Sequence, residues 1–342
     1  MHKAIRMATT IKDIALAVGV AHSTVARALA DHPHISVETK TLVRDAAERL
    51  GYVVDSAART MRGGRSTLIG LIVPAIENDF YAQMAKALAD CCRREGFQLL
   101  LSITEDDPDA EHHELRALKS ARPAGVVIVP TSMPRRESTA LLEGIPSVQL
   151  IRHIPAFGED SVTLDDAAAL HDATKHLIDL GHRRIAYLGG TEKLSTGASR
   201  FTGYEKALSE ARIKIDERLV WRGTPRASAA ASAFKDLLVD GKPTAVVTAG
   251  ALIAQGALEA MDELQLSAPK DLSIVGFGDP PWARWWGKGL TTVSLPVREV
   301  ALTSATYLIR RIRDGSSATG QPPYNAILKS RLITRKSTAS PT

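Results

Sequence analysis

Between residues 10 and 50 the apolar positions recur at helical spacing and break three times. Ile11, Ile14, Ala15 and Val18 fall on one side of a first helix. Thr10 and Asp13 form its capping pattern, and Gly19 stops it. A second short helix is predicted from about His22 to Leu29, with Val25 and Leu29 on one face. Asp31-His32-Pro33-His34 reads as a loop. Ser36 caps a third helix whose Val43, Ala46, Ala47 and Leu50 face inward, and Gly51 ends it. Two short helices joined by a glycine turn make a helix-turn-helix, in which the second helix reads DNA. Spacing alone equally allows any three-helix bundle.

Residues 53–66 hold few large apolar groups and end in glycine and charge, the pattern of a linker carrying a conditional helix. From residue 67 the pattern changes to alternating strand and helix. Strand runs are predicted at 68–73, 97–103, 125–129, 147–151, 161–164, 184–188, 245–248, 272–277 and 290–295. Amphipathic stretches lie between many of them, at 81–94, 167–180, 198–211, 251–264 and 297–313, and the Ala227–Ala233 run also reads as helix. Repeated βα units imply parallel sheets covered by helices. Their number fits two doubly wound lobes, with ligands expected at the carboxyl ends of the strands.

Composition adds direction. The 342 residues are 44% hydrophobic and 24% charged, so the chain is an ordinary globular one. No apolar run reaches the roughly 18 residues of a transmembrane helix, and the N-terminus lacks a secretory pattern. The two cysteines, Cys91 and Cys92, are adjacent and cannot staple distant segments, which fits a reducing cytoplasm. Residues 1–66 hold ten basic and six acidic side chains, against 33 and 32 in the remainder. Nearly all of the +5 formal charge therefore lies in the small N-terminal segment, the footprint of a polyanion binder.

Particular motifs carry more. Thr10-Ile11-Lys12-Asp13-Ile14-Ala15, Ala17-Val18-Gly19-Val20, Ser23-Thr24-Val25, Arg27-Ala28-Leu29 and Leu50-Gly51-Tyr52 follow one another in order. Ala58-Arg59-Thr60-Met61-Arg62-Gly63, Ile69-Gly70-Leu71-Ile72-Val73-Pro74 and Asn78-Asp79-Phe80-Tyr81 come next. Leu180-Gly181-His182-Arg183-Arg184-Ile185, Ile274-Val275-Gly276-Phe277-Gly278-Asp279 and Leu290-Thr291-Thr292-Val293 close the series. Over residues 9–335 the chain resembles the lactose-repressor (LacI/GalR) family of dimeric transcription regulators. The resemblance implies an α/β chain with an N-terminal three-helix helix-turn-helix domain and hinge helix. A two-lobed, doubly wound, periplasmic-binding-protein-like effector domain follows. The implied map is a disordered arm at 1–8, a DNA-binding domain at 9–52, hinge and linker at 53–66, the effector and dimerisation domain at 67–335 and a tail at 336–342. Crossings between lobes are expected near 162–166, 293–296 and 322–325.

On the DNA side the resemblance assigns base contacts to His22, Ser23 and Arg27, and phosphate contacts to Thr24. Arg27 can bond guanine with two parallel N–H groups or pair with a phosphate. Thr10 and Arg59 join this set, and Met61 takes the place of the apolar wedge that enters the minor groove. Ala21 and Ala26 stand where serines are usual.

On the effector side it implies aromatic walls from Phe80 and Tyr81 and a ligand-binding arginine at Arg200. Gly250, Ile151 and Gly278 stand where the family usually supplies amide or carboxylate acceptors, leaving Asp279 and adding Arg152. Arg284 and Lys288 lie in the next loop, and Trp282 of its Trp282–Trp286 stretch is an expected effector contact, the alternative for these tryptophans being lobe packing or a dimer contact. Cations without acids favour an anionic effector, a sugar acid, sugar phosphate or other small anion. The competing expectation pairs the cations with acids such as Asp279 or Asp165. His112-His113 reads as a solvated face rather than a metal site, and Glu105-Asp106-Asp107 as a solvated turn. No P-loop, Gly-x-Gly-x-x-Gly or nucleophile elbow occurs, so no enzyme and no cofactor is expected. The function implied is a cytoplasmic repressor, a homodimer on pseudo-palindromic operator DNA, set by a small effector; the alternative is control by a protein partner.

Overall fold

A computed structural model describes residues 9–52, 66–315 and 322–341. The expected arm at 1–8 and residues 53–65 of the expected hinge and linker, with Arg59 and Met61, lie outside the described residues. The chain divides into two compact units, Met1–Ser66 and Thr67–Thr342.

The first unit holds α1 (Ile11–Val18), α2 (His22–Leu29) and α3 (Val37–Arg49). Ile14, Val25, Ala28, Val43, Ala46 and Ala47 are its buried core. The Asp13 carboxylate closes on the Thr10 amide at 2.7 Å and its hydroxyl at 2.8 Å, satisfying the start of α1. Those two bonds hold the Asp13 carboxyl below its ordinary pKa. Gly19 ends α1 at φ 74°, a left-handed position that glycine takes without steric cost. Thr9 Oγ1 donates to the Leu50 carbonyl at 2.7 Å, pinning the start of α1 to the end of α3.

The second unit alternates strand and helix: β1 (Leu68–Val73), α4 (Asp79–Arg94), β2 (Gln98–Ile103), α5 (Pro108–Ser120), β3 (Gly125–Ile128), α6 (Arg136–Leu141), β4 (Ser147–Leu150) and β5 (Ser161–Leu164). Then follow α7 (Asp166–Asp179), β6 (Ile185–Gly190), α8 (Ser195–Glu210), β7 (Val220–Gly223), α9 (Ala227–Gly241), β8 (Ala245–Ala249), α10 (Ala251–Glu263), β9 (Ser273–Phe277) and β10 (Thr291–Ser294). Last come α11 (Val297–Asp314), β11 (Asn325–Leu328) and β12 (Arg331–Ile333). Two six-stranded sheets result, in the orders β11-β5-β4-β3-β1-β2 and β12-β10-β9-β8-β6-β7. All pairings are parallel except β12, which runs antiparallel to β10. Each sheet buries both faces under helices, which is why β1, β3, β6, β8 and β9 read as unbroken apolar runs.

The chain passes between lobes at Asp165, after β5, and at Leu295-Pro296, where α11 returns to the core of the first sheet. The third passage is at Lys329-Ser330, between β11 and β12, rather than near 322–325. Residues 322–325 lead into an edge strand of the lobe that α11 already covers. The segment 336–341 is likewise not a loose tail. Ser337 is buried; its hydroxyl donates to the Ile274 carbonyl at 2.7 Å and accepts from the Thr291 amide at 2.8 Å. Among the described residues no helix is long and apolar enough to cross a membrane.

Candidate functional site

The helix expected to read DNA presents two distinct faces. Val25 and Ala28 point into the three-helix core, so positions roughly opposite them face solvent. His22, Ser23 and Arg27 are exposed and lie on that outer face, while Thr24 is half-buried at its margin. Ala21 leaves the start of α2 without a side-chain cap. The chain reverses after α2 through Asp31, at φ 57°, whose carboxylate pairs with Lys40 at 3.1 Å and Arg44 at 3.0 Å. Thr10 is occupied in capping α1.

In the second unit the carboxyl ends of both sheets converge on a cavity of about 350 Å³. Of the expected effector residues, it gathers Phe80, Tyr81, Arg152, Arg200 and Gly250. Nearly every strand contributes to the wall at its carboxyl end: Pro74 after β1, Asp106 after β2, Leu164 on β5, Gly190 on β6, Thr224 after β7 and Phe277 on β9. Such a crevice is where doubly wound folds bind ligands.

The cations here are not waiting for an anion. Arg152 is buried and forms a two-pronged pair with Asp106, with Nη2 to Oδ2 at 3.0 Å, and donates Nη1 to the Pro130 carbonyl at 3.0 Å. Arg200 donates Nε to Asp166 at 2.7 Å and Nη1 to the Ala249 carbonyl at 3.0 Å. Its guanidinium lies 4.1 Å from the centre of the Phe277 ring. Burial pushes the Asp166 carboxyl up, against the pull of Arg200. Asp106 belongs to the segment expected to be a solvated turn, and Asp107 beside it caps α5. The expected partners Asp165 and Asp279 are engaged elsewhere: Asp165 accepts from the Ala168 amide at the start of α7.

Asp279 and Trp282 do not line this cavity. They border a neighbouring cleft of about 480 Å³ that shares Phe80, Ala251 and Phe277 with it. The Asp279 carboxylate is gripped by Arg335 at 2.7 and 3.0 Å and by the Thr292 hydroxyl at 2.9 Å. Burial works to raise this carboxyl, but Arg335 and Thr292 outweigh it and hold it below its ordinary pKa. Arg284 and Lys288 are exposed and line neither space. Trp282 and Trp286 pack on the core of the second lobe, and Trp285 points outward, 73% exposed. Gly278 is at φ 89°, where a carboxylate-bearing side chain would be strained.

Sequence reasoning missed four functional groups. Asp106 and Asp166 each follow a strand's carboxyl end closely, and that position was the available signal. Arg335 carried none. Glu111, fully buried on α5, accepts the Thr131 amide at 2.7 Å and so fixes the loop whose Pro130 carbonyl holds Arg152. Burial pushes its carboxyl up. His112 bonds Ser138 at 3.1 Å, and among the described residues no acid, thiol and imidazole group could hold a metal. Cys91 and Cys92 are buried free thiols, and burial pushes Cys92 up to about 11.

Comparison with known proteins bears on both units. Residues 10–55 match the model of bacterial regulatory proteins of the lacI family, and residues 174–338 match a periplasmic binding protein-like domain. The chain is 31% identical to the HTH-type transcriptional regulator RegA of Clostridium saccharobutylicum, over 97% of this chain and 100% of that one. It is 30% identical to the regulator GalR of Escherichia coli K12, over 97% and 96%. Among solved structures, a CelR–cellobiose complex superposes with a TM-score of 0.71 at 26% identity, covering 96% of this chain and 100% of that one. The lac repressor dimer bound to operator and an anti-inducer shares the fold, with a TM-score of 0.82 at 24% identity over 97% and 99% of the two chains. With an outward-facing α2 on one unit and a strand-end cavity in the other, the chain belongs to the lacI family of DNA-binding transcription regulators.

Proposed function

We propose that this regulator is a repressor that binds pseudo-palindromic operator DNA as a homodimer and is set by a small molecule held between its two lobes. The observation that carries this is the strand-end cavity with its two preformed arginine–carboxylate pairs. Ligands that bind one degree of lobe closure better than another shift the population between them. The three passages at Asp165, Leu295-Pro296 and Lys329-Ser330 are the natural hinge. A cavity of this kind favours a small effector over control by a protein partner. The preference for a sugar acid or phosphate loses its support, because Arg152 and Arg200 both have internal carboxylates.

On DNA, His22, Ser23 and Arg27 read base edges, and Thr24 fixes register on phosphate. Arg59 and Met61 belong to the hinge, where Met61 serves as the apolar wedge at the operator centre. Arg27→Ala should cost roughly 1–3 kcal/mol per half-site and relax specificity at one base pair. Mobility shifts against operators selected from a random pool read both effects. If Arg27→Ala weakens every sequence equally, Arg27 contacts phosphate only. If no two-fold sequence is selected at all, the operator reading fails.

A further inference from the structure

We infer that Glu111, which is not among the residues lining the cavity, is a positioning residue for it: through the Thr131 amide and the Pro130 carbonyl it sets where the Arg152 guanidinium stands against a bound effector. The inference rests on the cavity being the effector site. Buried backbone groups need partners, and the chain leaving β3 has two to satisfy. The ladder between β3 and β1 closes where the Val129 amide donates to the Ile72 carbonyl at 2.9 Å. Pro130 carries no N–H, so its carbonyl is the polar backbone group it offers. The next amide, that of Thr131, is buried past the last ladder bond. Glu111 reaches it from α5 at 2.7 Å and is itself fully buried. Two further contacts run from α5 to the same connection, Asp109 to Arg135 at 2.9 Å and His112 to Ser138 at 3.1 Å. The first lies at the surface, where such pairs are worth little. Glu111 acts in the interior, where water does not replace a lost bond.

The two arginines of the cavity are held in different ways. Arg200 donates to the carbonyl of Ala249, the last residue of β8, which is paired on both sides by β6 and β9. That acceptor moves only with the sheet. Arg152 donates Nη1 to Pro130, in the irregular chain after β3, and its place depends on whatever fixes residues 130 and 131. Its other partner, Asp106, directly precedes Asp107, which caps α5 by accepting from the Asp109 amide at 2.7 Å. Both acceptors of Arg152 are thus mounted on α5, one through the chain and one through Glu111.

The Glu111 carboxyl is suited to this work in its uncharged form. Burial pushes it up, and its Oε1 has no hydrogen-bond partner among the described residues. A glutamine has the same length and shape, carries no charge and keeps one carbonyl oxygen for the Thr131 amide. A leucine fills the space without an acceptor, and an aspartate keeps the carboxyl but withdraws it by one methylene.

Modification of the full chain by phenylglyoxal, which attacks accessible guanidinium groups, tests this, with the rates at Arg152 and Arg200 read by mass on chymotryptic fragments. Glu111→Leu, checked for folding by circular dichroism, should speed the reaction at Arg152 by about tenfold, the scale of one lost hydrogen bond to a charged group, and leave Arg200 unchanged. Glu111→Asp should do the same and serves where the leucine variant does not fold. Glu111→Gln should restore the slow rate at Arg152. An unchanged rate at Arg152 in the leucine or aspartate variant overturns the inference. So does an equal rise at both arginines, which marks general loosening, and so does a glutamine variant as fast as the leucine one. No effector enters the measurement, so the two levels of argument fail separately. A cavity that proves not to bind the effector leaves these rates as they are, and unchanged rates leave the effector-site reading intact.

Discussion

A buried guanidinium and carboxylate are worth far more to each other than to the molecule as a whole. Removing one partner strands an uncompensated charge, whereas removing both mainly changes packing. Asp166 and Arg200 are such a pair, 5% and 12% exposed. Asp166→Ala is therefore expected to cost roughly 3–5 kcal/mol in urea unfolding, and Asp166→Ala with Arg200→Met much less. A single variant as stable as the double would mean that the pair is water-screened. The same pair marks how far single residues could be read in the sequence. Arg200 and Arg152 stand out by position, and both do line the cavity. Their partners lie 34 and 46 residues away along the chain, and nothing in a local pattern joins residues so separated. The expected anion followed from that gap: a cation without a visible acid looks unsatisfied until the fold brings the acid to it. Asp279 shows the opposite gap: its partner Arg335 comes from beyond the last strand, and the pair borders the neighbouring cleft rather than the cavity.

At the scale of elements, legibility follows burial. Strands covered on both faces announce themselves as apolar runs, and every one of these was visible. The short edge strands β7, β11 and β12 were not, because none of their positions is fully buried and their alternation is too brief to count. Missing β11 and β12 also misplaced the third lobe passage and made the last residues look loose. That terminal segment is instead a clasp. Ser337 serves two buried backbone groups, and Ala339 accepts from His182 Nε2 at 2.8 Å, while Thr338 bonds His176 at 2.9 Å. Ser337→Ala should cost about 1–3 kcal/mol, because both backbone partners lose their bond inside the protein. The clasp is also pH-sensitive. Burial lowers both His176 and His182 below the ordinary 6.5, so each is stabilising in its neutral form. That contribution is complete above the ordinary value and lost as pH falls through the lowered ones. The thermal midpoint should therefore drop on acidification below about 6.5, and less so in His182→Gln. Equal drops in both proteins would assign the loss to other groups. His171 moves the other way, raised by its bonds to Glu210 and Asp172. It stabilises below 6.5, and its contribution fades as pH rises through the raised value, opposing the clasp on the acid side.

For the whole molecule the decisive quantity is how many copies meet on DNA. One α2 presents too few base-reading side chains for high specificity, and a two-fold pair of half-sites multiplies that reading. The second unit offers a surface suited to such pairing. β2 is the open edge of the first sheet, and its Leu100, Leu101 and Ile103 remain 41%, 38% and 38% exposed. Long apolar edges left bare invite uncontrolled pairing, so a stable protein covers or blunts them. The charged residues that usually blunt an edge are absent from Gln98–Ile103. A second copy of this face would remove the apolar row from water, and a standard interface of about 1,600 Å² would extend well beyond the strand. The expected outcome is a dimer by mass measurement in solution at micromolar concentration. Leu101→Glu places a charge in the middle of the row and should shift the mass toward the monomer. It should also weaken the two-fold operator far more than a single half-site, because only the former needs both copies held together. The two readouts must move as a pair. A dimer that survives Leu101→Glu with operator binding intact would place the contact on another face, and a stable tetramer would show that more than one face of this domain is used.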